Sequence, residues 1–574
     1  MPRLTPSFAL ICVLAALASP ALAGTTAKST SADAVGLPDS AGAYLAARAA
    51  AAQNDFALAA QWYGVALQAD PTNPDLLQGA LVADVALGDM PSAAKRARAL
   101  KKTGAVSQVG QMVIVADDVI KGDFGAILQD QAGGASIGKL MDALVTAWAQ
   151  VGSGKMSQAE STFDTMITSS GMEPFGVYHK ALALAQTGDF DGAETLFERP
   201  ESAAIHGLRR GVLAQVQVLS QLDRNADAIT LIDHVYRSAP DAGMVAIKHR
   251  LAQGEKIAFD VARTPQDGMA EAYFTLATLL VGQTNDTFTL LNARLATTLR
   301  PDHVEALLMS ARVLDKLGQY DLASSTFAQV PKSDPAYVSA IIGQAGAAQS
   351  AGKLDEAVAL LKVLAGENPD NAGVLSAYGD SLRRQDHCDA AIGVYAQAIA
   401  LIQTPLPADW ALFYRRGGCY LNQGNWPKAE ADYTQALSLA PNEPRILNEL
   451  GYSYVDRGEN LPQALAMIQK AVSAAPDEGY IIDSLAWAYF RLGRYDEAVA
   501  PMEKASLLMP VDAVVTDHLG DVYWMVGRKR EAQFQWHRAL TFHPEAKDAA
   551  RIQLKLDKGL DQVLQDEKTQ GNGG

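Results

Sequence analysis

The sequence predicts an all-α solenoid, because a pattern of about 34 residues repeats along most of its 574 residues. A small alanine marks the units, first at Ala59, Ala93, Ala126, Ala159, Ala193 and Ala228, and again at Ala323, Ala357, Ala391, Ala429, Ala464, Ala498 and Ala532. Three further positions are each kept in more than half of the units: a glycine five residues before this alanine, an aromatic residue four after it and a proline twelve after it. Helix pairs of this length cannot bury an apolar face alone, so they stack into a solenoid.

The N-terminal segment has the layout of a secretory signal peptide. Arg3 precedes an uncharged apolar run from Phe8 to Ala18, and the small-residue site Ala21-Leu22-Ala23 follows. We expect cleavage before Gly24, a flexible leader over 24–39 and a mature chain that is periplasmic or secreted. The apolar run is about half the length that a bilayer-spanning helix needs, and no later stretch is long and uncharged enough, so we expect no transmembrane span in the mature chain.

Composition limits the classes of partner. The chain carries 48 Lys and Arg against 64 Asp and Glu, which gives a net charge of −16, and 49% of its residues are hydrophobic. Such a chain can bury a large core, and its negative charge repels phosphate backbones. We therefore expect no nucleic-acid partner.

Individual units resemble the tetratricopeptide repeat. The clearest unit matches that family's pattern at Leu447, Leu450, Gly451, Tyr454, Gly458, Ala464, Ala471 and Pro476, with one extra residue before Ala464. The resemblance implies a right-handed α-solenoid of about 13–15 repeats with an inner groove, in which Gly451, Ala486 and Gly520 lie where two helices approach closely.

Gaps in the repeat series divide the chain. We predict an N-terminal degenerate array over 40–240, an irregular linker or degenerate repeat over 241–268 and a C-terminal array over 269–544. The charged, amphipathic stretch 545–568 is predicted to form a capping helix that closes the last apolar face. The glycine-rich end, 569–574, is predicted to be a disordered tail.

In the repeat family, ligands lie along the groove at fixed positions of the first helix of each unit. Carried over to this sequence, those positions and their neighbours give the predicted protein-binding residues Arg383, Arg384, Tyr414, Asn448, Tyr452, Asp483, Trp487, Phe490, Arg491, Asp517, Asp521 and Trp524. Aromatic residues and arginines flanked by polar groups are typical of binding hot spots. The alternative is that these side chains pack against a neighbouring turn of the solenoid or against the C-terminal helix.

Residues for catalysis or for a bound cofactor are not found. The nine histidines are scattered without metal-ligand spacing, and the glycine-rich run 343–354 departs from the phosphate-loop pattern, so we expect no metal and no cofactor. The mature chain keeps two cysteines, Cys388 and Cys419, which the repeat frame places on neighbouring helices. A disulfide and two separately buried cysteines both remain open.

The sequence favours a non-enzymatic periplasmic scaffold that binds one or more proteins or peptides, envelope proteins among them, through a concave groove. One alternative is a structural assembly subunit of an envelope secretion, pilus or polysaccharide-export system. A second alternative, from a different class, is an enzyme whose site lies in the irregular 241–302 region or is assembled with a partner. The titratable residues of 241–302 form no recognisable set.

Overall fold

The computed structural model describes residues 40–237 and 240–571, and every regular element in these ranges is a helix. The predicted signal peptide and leader lie outside the described residues, and so do the last three residues of the predicted tail. Consecutive helices pack against each other along the chain. This confirms the prediction of an all-α solenoid.

The N-terminal array contains twelve α-helices and a 3-10 helix, Pro200–Gly207, between α10 and α11. Its α-helices are α1 Ser40–Ala52, α2 Phe56–Ala69, α3 Pro74–Leu87, α4 Met90–Lys102, α5 Gln108–Ile120, α6 Phe124–Ala132, α7 Lys139–Gly152, α8 Met156–Ile167, α9 Glu173–Gln186, α10 Phe190–Phe197, α11 Arg209–Gln221 and α12 Asn225–Tyr236. The odd-numbered members are the first helices of their units.

Three helices follow in the middle of the chain: α13 Ala242–Ala252, α14 Pro265–Leu280 and α15 Asp286–Leu299. The stretch 241–268, expected to be a linker or a degenerate repeat, therefore contains α13, a helix-free connection and the start of α14. We call α14 and α15 the central hairpin, because they pack against each other along their length.

The C-terminal array contains fourteen α-helices, with a short 3-10 helix, Pro407–Asp409, before α22. They are α16 Val304–Lys316, α17 Tyr320–Phe327, α18 Tyr337–Ser350, α19 Leu354–Glu367, α20 Ala372–Arg384, α21 Cys388–Ala400, α22 Trp410–Asn422, α23 Trp426–Leu439, α24 Pro444–Arg457, α25 Leu461–Ala474, α26 Gly479–Arg491, α27 Tyr495–Leu508, α28 Ala513–Met525 and α29 Lys529–Thr541. Here the even-numbered helices come first in each unit.

The expected capping helix is two helices, α30 Ala546–Lys558 and α31 Leu560–Gly571, which we call the C-terminal pair. The break falls at Gly559, whose φ of 83° lies in the left-handed region that favours glycine. Because α31 runs to Gly571, the first half of the predicted tail is helical.

The repeat pattern reflects close packing of helices. The alanines that mark the units are fully buried, except Ala126, which is half-buried. At Gly520 an added Cβ would lie 2.4 Å from the Trp536 ring, and at Gly451 it would lie 2.8 Å from Ile468. Only glycine fits at these two crossings, as the sequence predicts.

The buried core is continuous over the first half of the molecule. One hydrophobic cluster extends from Phe56 on α2 to Ala347 on α18 and includes the central hairpin, whereas the rest of the C-terminal array has separate clusters along its length. The central hairpin is therefore part of the core of the N-terminal array, although in sequence it lies between the two arrays.

Candidate functional site

The inner face of the N-terminal array is filled by the central hairpin. The Tyr273 hydroxyl on α14 donates to the Met112 carbonyl on α5 at 3.0 Å, and Arg294 on α15 donates to the Ala86 carbonyl on α3 at 3.2 Å. Gly268 admits the ring of Trp148 from α7, since an added Cβ would lie 2.3 Å from that ring. The central hairpin therefore covers the parts of α3, α5 and α7 that it contacts.

A buried charge cluster fixes the hairpin in place. Arg210 on α11 forms an ion pair with Glu271 on α14 and donates to the Val261 carbonyl at 3.1 Å, while His303 Nε2 lies 3.1 Å from the same carboxylate. Burial alone would raise the pKa of Glu271, but Arg210 and then His303 hold this pKa well below its usual range. Glu271, His303 and Arg210 are all buried, so the cluster joins α11, α14 and the start of α16 inside the core.

We expect His179 on α9 to make the stability of the N-terminal array depend on pH. Its Nδ1 accepts a hydrogen bond from Trp148 Nε1 at 3.1 Å, and burial lowers its pKa from 6.5 to about 4. Unfolded chains bind this proton below pH 6.5 and the folded chain does not, so stability falls as the pH drops from 6.5 to 4. We expect a loss of up to about 3 kcal/mol over that window.

Urea unfolding of wild type and His179→Gln at several pH values measures this contribution. The wild type should lose stability more steeply between pH 6.5 and 4 than the variant. Equal slopes would contradict a neutral, buried His179.

The C-terminal pair covers the last predicted groove residues. Lys555 on α30 is fully buried, and its Nζ lies 2.6–2.8 Å from both carboxylate oxygens of Asp517 and of Asp521. Trp524 Nε1 donates to Asp561 on α31 at 2.9 Å. For Asp517, Asp521 and Trp524 the structure therefore shows packing against the C-terminal helices, which is the alternative that the sequence left open.

Two aromatic residues of α26, Trp487 and Phe490, are also enclosed. Trp487 is 8% exposed and stacks between Phe490, at 4.7 Å between ring centroids, and His518, at 4.0 Å. His518 Nδ1 lies 3.0 Å from Asp483 Oδ1. Burial lowers the pKa of His518, but Asp483 and the other carboxylates nearby outweigh this effect and raise it. Three predicted residues, Asp483, Trp487 and Phe490, thus form one cluster with His518 between α26 and α28.

The three remaining predicted groove residues on α24 and α26 differ in how far they are buried. Asn448 is buried and its Oδ1 has no hydrogen-bond donor, while Tyr452 is half-buried. Arg491 is exposed and donates to the Asp456 carbonyl at 3.1 Å.

Two adjoining cavities lie open on the first helices of the C-terminal array, between α18 and α24. The larger, of about 460 Å³, is lined among others by Arg383, Trp410, Tyr414, Arg415, Arg445 and Glu449. The smaller, of about 250 Å³, is lined among others by Ile342, Gly346, Asp380, Arg383, Arg384 and Arg415. We call the four arginines of these cavities, together with Trp410 and Tyr414, the arginine surface.

Among the described residues, two guanidinium groups of the arginine surface form no ion pair with a carboxylate. Arg415 lies 2.9 Å from Asp380 and Arg445 lies 2.7 Å from Glu443, but neither Arg383 nor Arg384 forms an ion pair in the described ranges. Both are exposed. In a chain of net charge −16, this concentration of cations is suited to a carboxylate on a partner.

Aromatic and hydrogen-bonding groups line the other end of the larger cavity. The Arg445 guanidinium lies 4.9 Å from the centre of the Trp410 ring, and the rings of Trp410 and Tyr414 lie 5.6 Å apart. Burial raises the pKa of Tyr414 to about 12 and raises the pKa of Glu449. Tyr414 therefore remains protonated at neutral pH and can donate a hydrogen bond.

A disulfide joins Cys388 on α21 to Cys419 on α22, with their Cα atoms 5.1 Å apart. Cys388 lines the larger cavity. The bond ties two neighbouring repeats together directly beneath the arginine surface, at the opposite end of α21 from the long 401–409 connection.

The sequence reasoning placed Arg383, Arg384, Tyr414 and Arg445 at groove positions but missed the other two members of the surface. Arg415 lies next to a groove position, and Trp410 begins its helix, so the family's position rule selects neither. Arg445 occupies a groove position of its unit, and its stacking on Trp410 could not be read from the spacing.

Within the described part of the chain, no group of three or more His, Cys, Asp and Glu side chains is placed to hold a metal ion. None of the helices there is long and apolar enough to cross a membrane.

Family models of the tetratricopeptide repeat match four segments, 175–199, 308–372, 410–443 and 448–506. They span about a third of the chain and fall in both arrays. The molecule is a solenoid of helical repeats, of the class that acts as a scaffold for protein–protein interaction. The chain contains tetratricopeptide repeats in both arrays.

Comparison with individual proteins gives more distant similarity. A search of curated proteins finds no significant match. Similar solved structures include the Cut9–Hcn1 hetero-tetramer of the APC/C, with 15% identity and a TM-score of 0.40, and yeast Tom70, with 12% identity and a TM-score of 0.33. Each of these two matches covers 91% of this chain and 96% of the other chain. Another is a tetratricopeptide repeat protein from Parabacteroides merdae, with 18% identity and a TM-score of 0.36. This match covers 44% of this chain and 98% of that chain. At this level of similarity none of the three bears on what this chain binds.

Proposed function

We propose that this protein is a non-catalytic periplasmic scaffold that binds a segment of an envelope protein on its arginine surface. One observation carries the choice of surface. Of the three stretches of inner face, the N-terminal one holds the central hairpin and the last one holds the C-terminal pair, whereas the cavities between α18 and α24 are open.

The chemistry of the open stretch indicates the kind of segment. Arg383 and Arg384 can form charge-assisted hydrogen bonds with an acidic side chain or a chain terminus. Trp410 and Tyr414 offer apolar area and a hydroxyl beside them, a combination typical of binding hot spots. An acidic peptide with a neighbouring apolar or aromatic residue fits this arrangement.

Two observations support the location. The pattern of residues 1–23 is that of a secretory signal, and the disulfide between Cys388 and Cys419 is of a kind that persists in oxidising compartments. The disulfide lies beneath the proposed binding surface, so the same compartment would also fix the geometry of that surface.

Charge reversal on the arginine surface tests the proposed function. The tagged full chain, its Arg383→Glu/Arg384→Glu variant and a control, Arg530→Glu on α29, are incubated with envelope extract, and retained proteins are quantified by mass spectrometry. All three changed residues are exposed, so each chain should keep the wild-type circular dichroism spectrum.

We expect at least one protein to be retained by wild type and by the control but lost from the double variant. Retention of the same proteins by all three chains would refute binding at this surface. Stable incorporation of the chain into a membrane complex, unaffected by the double variant, would instead favour a structural assembly subunit.

A further inference from the structure

The C-terminal pair occupies the inner face of the last two repeats as a ligand would. Lys555 inserts its ammonium between two carboxylates, and Asp521 also accepts a hydrogen bond from Trp536 Nε1 at 2.9 Å. Arg551, one turn earlier on the same helix, lies 3.5 Å from Asp521. Two cations of α30 thus face the acidic residues of α28.

This contact is more selective than a cap requires. A helix that only covered an apolar face would do so with apolar side chains, and a buried ion cluster is on average no more stabilising than well-packed hydrophobic residues of similar volume. The carboxylates of Asp517 and Asp521 require a cation at one position of the covering helix, and apolar packing alone would not.

The pair is held by few buried side chains. On α30 only Ile552 and Lys555 are buried, and on α31 Leu560 and Val563 are, while most other side chains of these helices reach solvent. The connection from α29, residues 542–545, has no helix. Segments with so little buried contact open at a lower free energy than the core they cover.

Opening of the pair would uncover an acidic and aromatic surface. Asp517, Asp521 and Trp524 lie on α28, next to the Asp483–His518 contact. We propose that the C-terminal pair is an exchangeable occupant of this surface, and that a partner helix with a lysine or arginine on its apolar face takes its place. This site is distinct from the arginine surface and selects the opposite charge.

A peptide of residues 546–571 carries the required chemistry and is the probe. Its fluorescently labelled form is titrated into the full wild-type chain, the Lys555→Met chain and a control, Lys558→Met. Lys558 is exposed on the same helix and pairs with Asp566, so the control removes an equal charge outside the site.

Loss of the resident cation should free the site. We expect the Lys555→Met chain to bind the peptide about tenfold more tightly than wild type, because a competing internal occupant lowers the apparent affinity. The Lys558→Met chain should behave as wild type, and a peptide with Lys555→Met should bind none of the chains. Equal binding of the peptide by the Lys555→Met and wild-type chains would overturn the proposal.

Hydrogen exchange of the unmodified wild type gives a test that needs no variant. Amides of α30 and α31 should exchange through a local opening, faster than those of α28 and α29 under native conditions. Exchange of α30 at the same rate as α28 would show that the pair opens only with the repeats it covers, and would also overturn the proposal.

Discussion

Replacing Glu271 with alanine is expected to lower the free energy of unfolding by about 3–5 kcal/mol, because the change leaves the Arg210 guanidinium buried without its main carboxylate. Both side chains are buried between α11 and α14, and the Tyr178 hydroxyl also lies 3.3 Å from Glu271 Oε2. Urea unfolding followed by circular dichroism measures the loss.

Two further variants separate charge from packing. Asp321→Ala removes an exposed ion pair with Lys353 and should leave stability almost unchanged. The double change Arg210→Met/Glu271→Leu removes both charges and should recover most of the stability that Glu271→Ala loses. A Glu271→Ala chain as stable as the Asp321→Ala chain would contradict the proposed role of the cluster.

Trp148→Ala is expected to lower stability by a similar amount, about 3–5 kcal/mol, because it removes a fully buried indole from the contact between α7 and α14. The ring packs against Gly268 and edge-on to Phe163, at 6.1 Å between centroids, so a cavity would form on both sides. The loss is measured by the same unfolding experiment.

Trp62→Ala provides the matched control, since Trp62 on α2 is only half-buried. We expect the control to lose clearly less stability than Trp148→Ala. Hydrogen exchange should also show faster exchange in α14 of the Trp148→Ala chain. Equal losses for the two tryptophans would argue against a hairpin docked in the N-terminal array.

The repeat architecture could be predicted because its determinants are local. Small residues such as Ala464 and Gly520 recur at a fixed spacing, and each reports a helix crossing within its own unit. The same reasoning predicted a cap at the C-terminus but not the break at Gly559. That break depends on the backbone angle of one residue and on its contact with Trp524, and an amphipathic pattern does not report either.

The docking of the central hairpin could not be predicted, because its contacts join distant parts of the chain. Tyr273 bonds to Met112 and Arg294 to Ala86, across separations of 161 and 208 residues, and no repeat position encodes such a pairing. Likewise, the family's position rule marks Asp517 and Asp521 as groove residues but says nothing of Lys555, which covers them. Which part of the groove stays open therefore depends on contacts between residues that are distant in the sequence.

Site-specific photo-crosslinking tests the central claim that partners bind the open inner face of the C-terminal array. A photoreactive amino acid is placed at position 384, on the arginine surface, or at position 363 on α19, where Val363 is 64% exposed. After irradiation in envelope extract, position 384 should crosslink to the protein that the charge-reversal experiment identifies, and position 363 should not. A crosslink to that protein from position 363 alone would contradict the account.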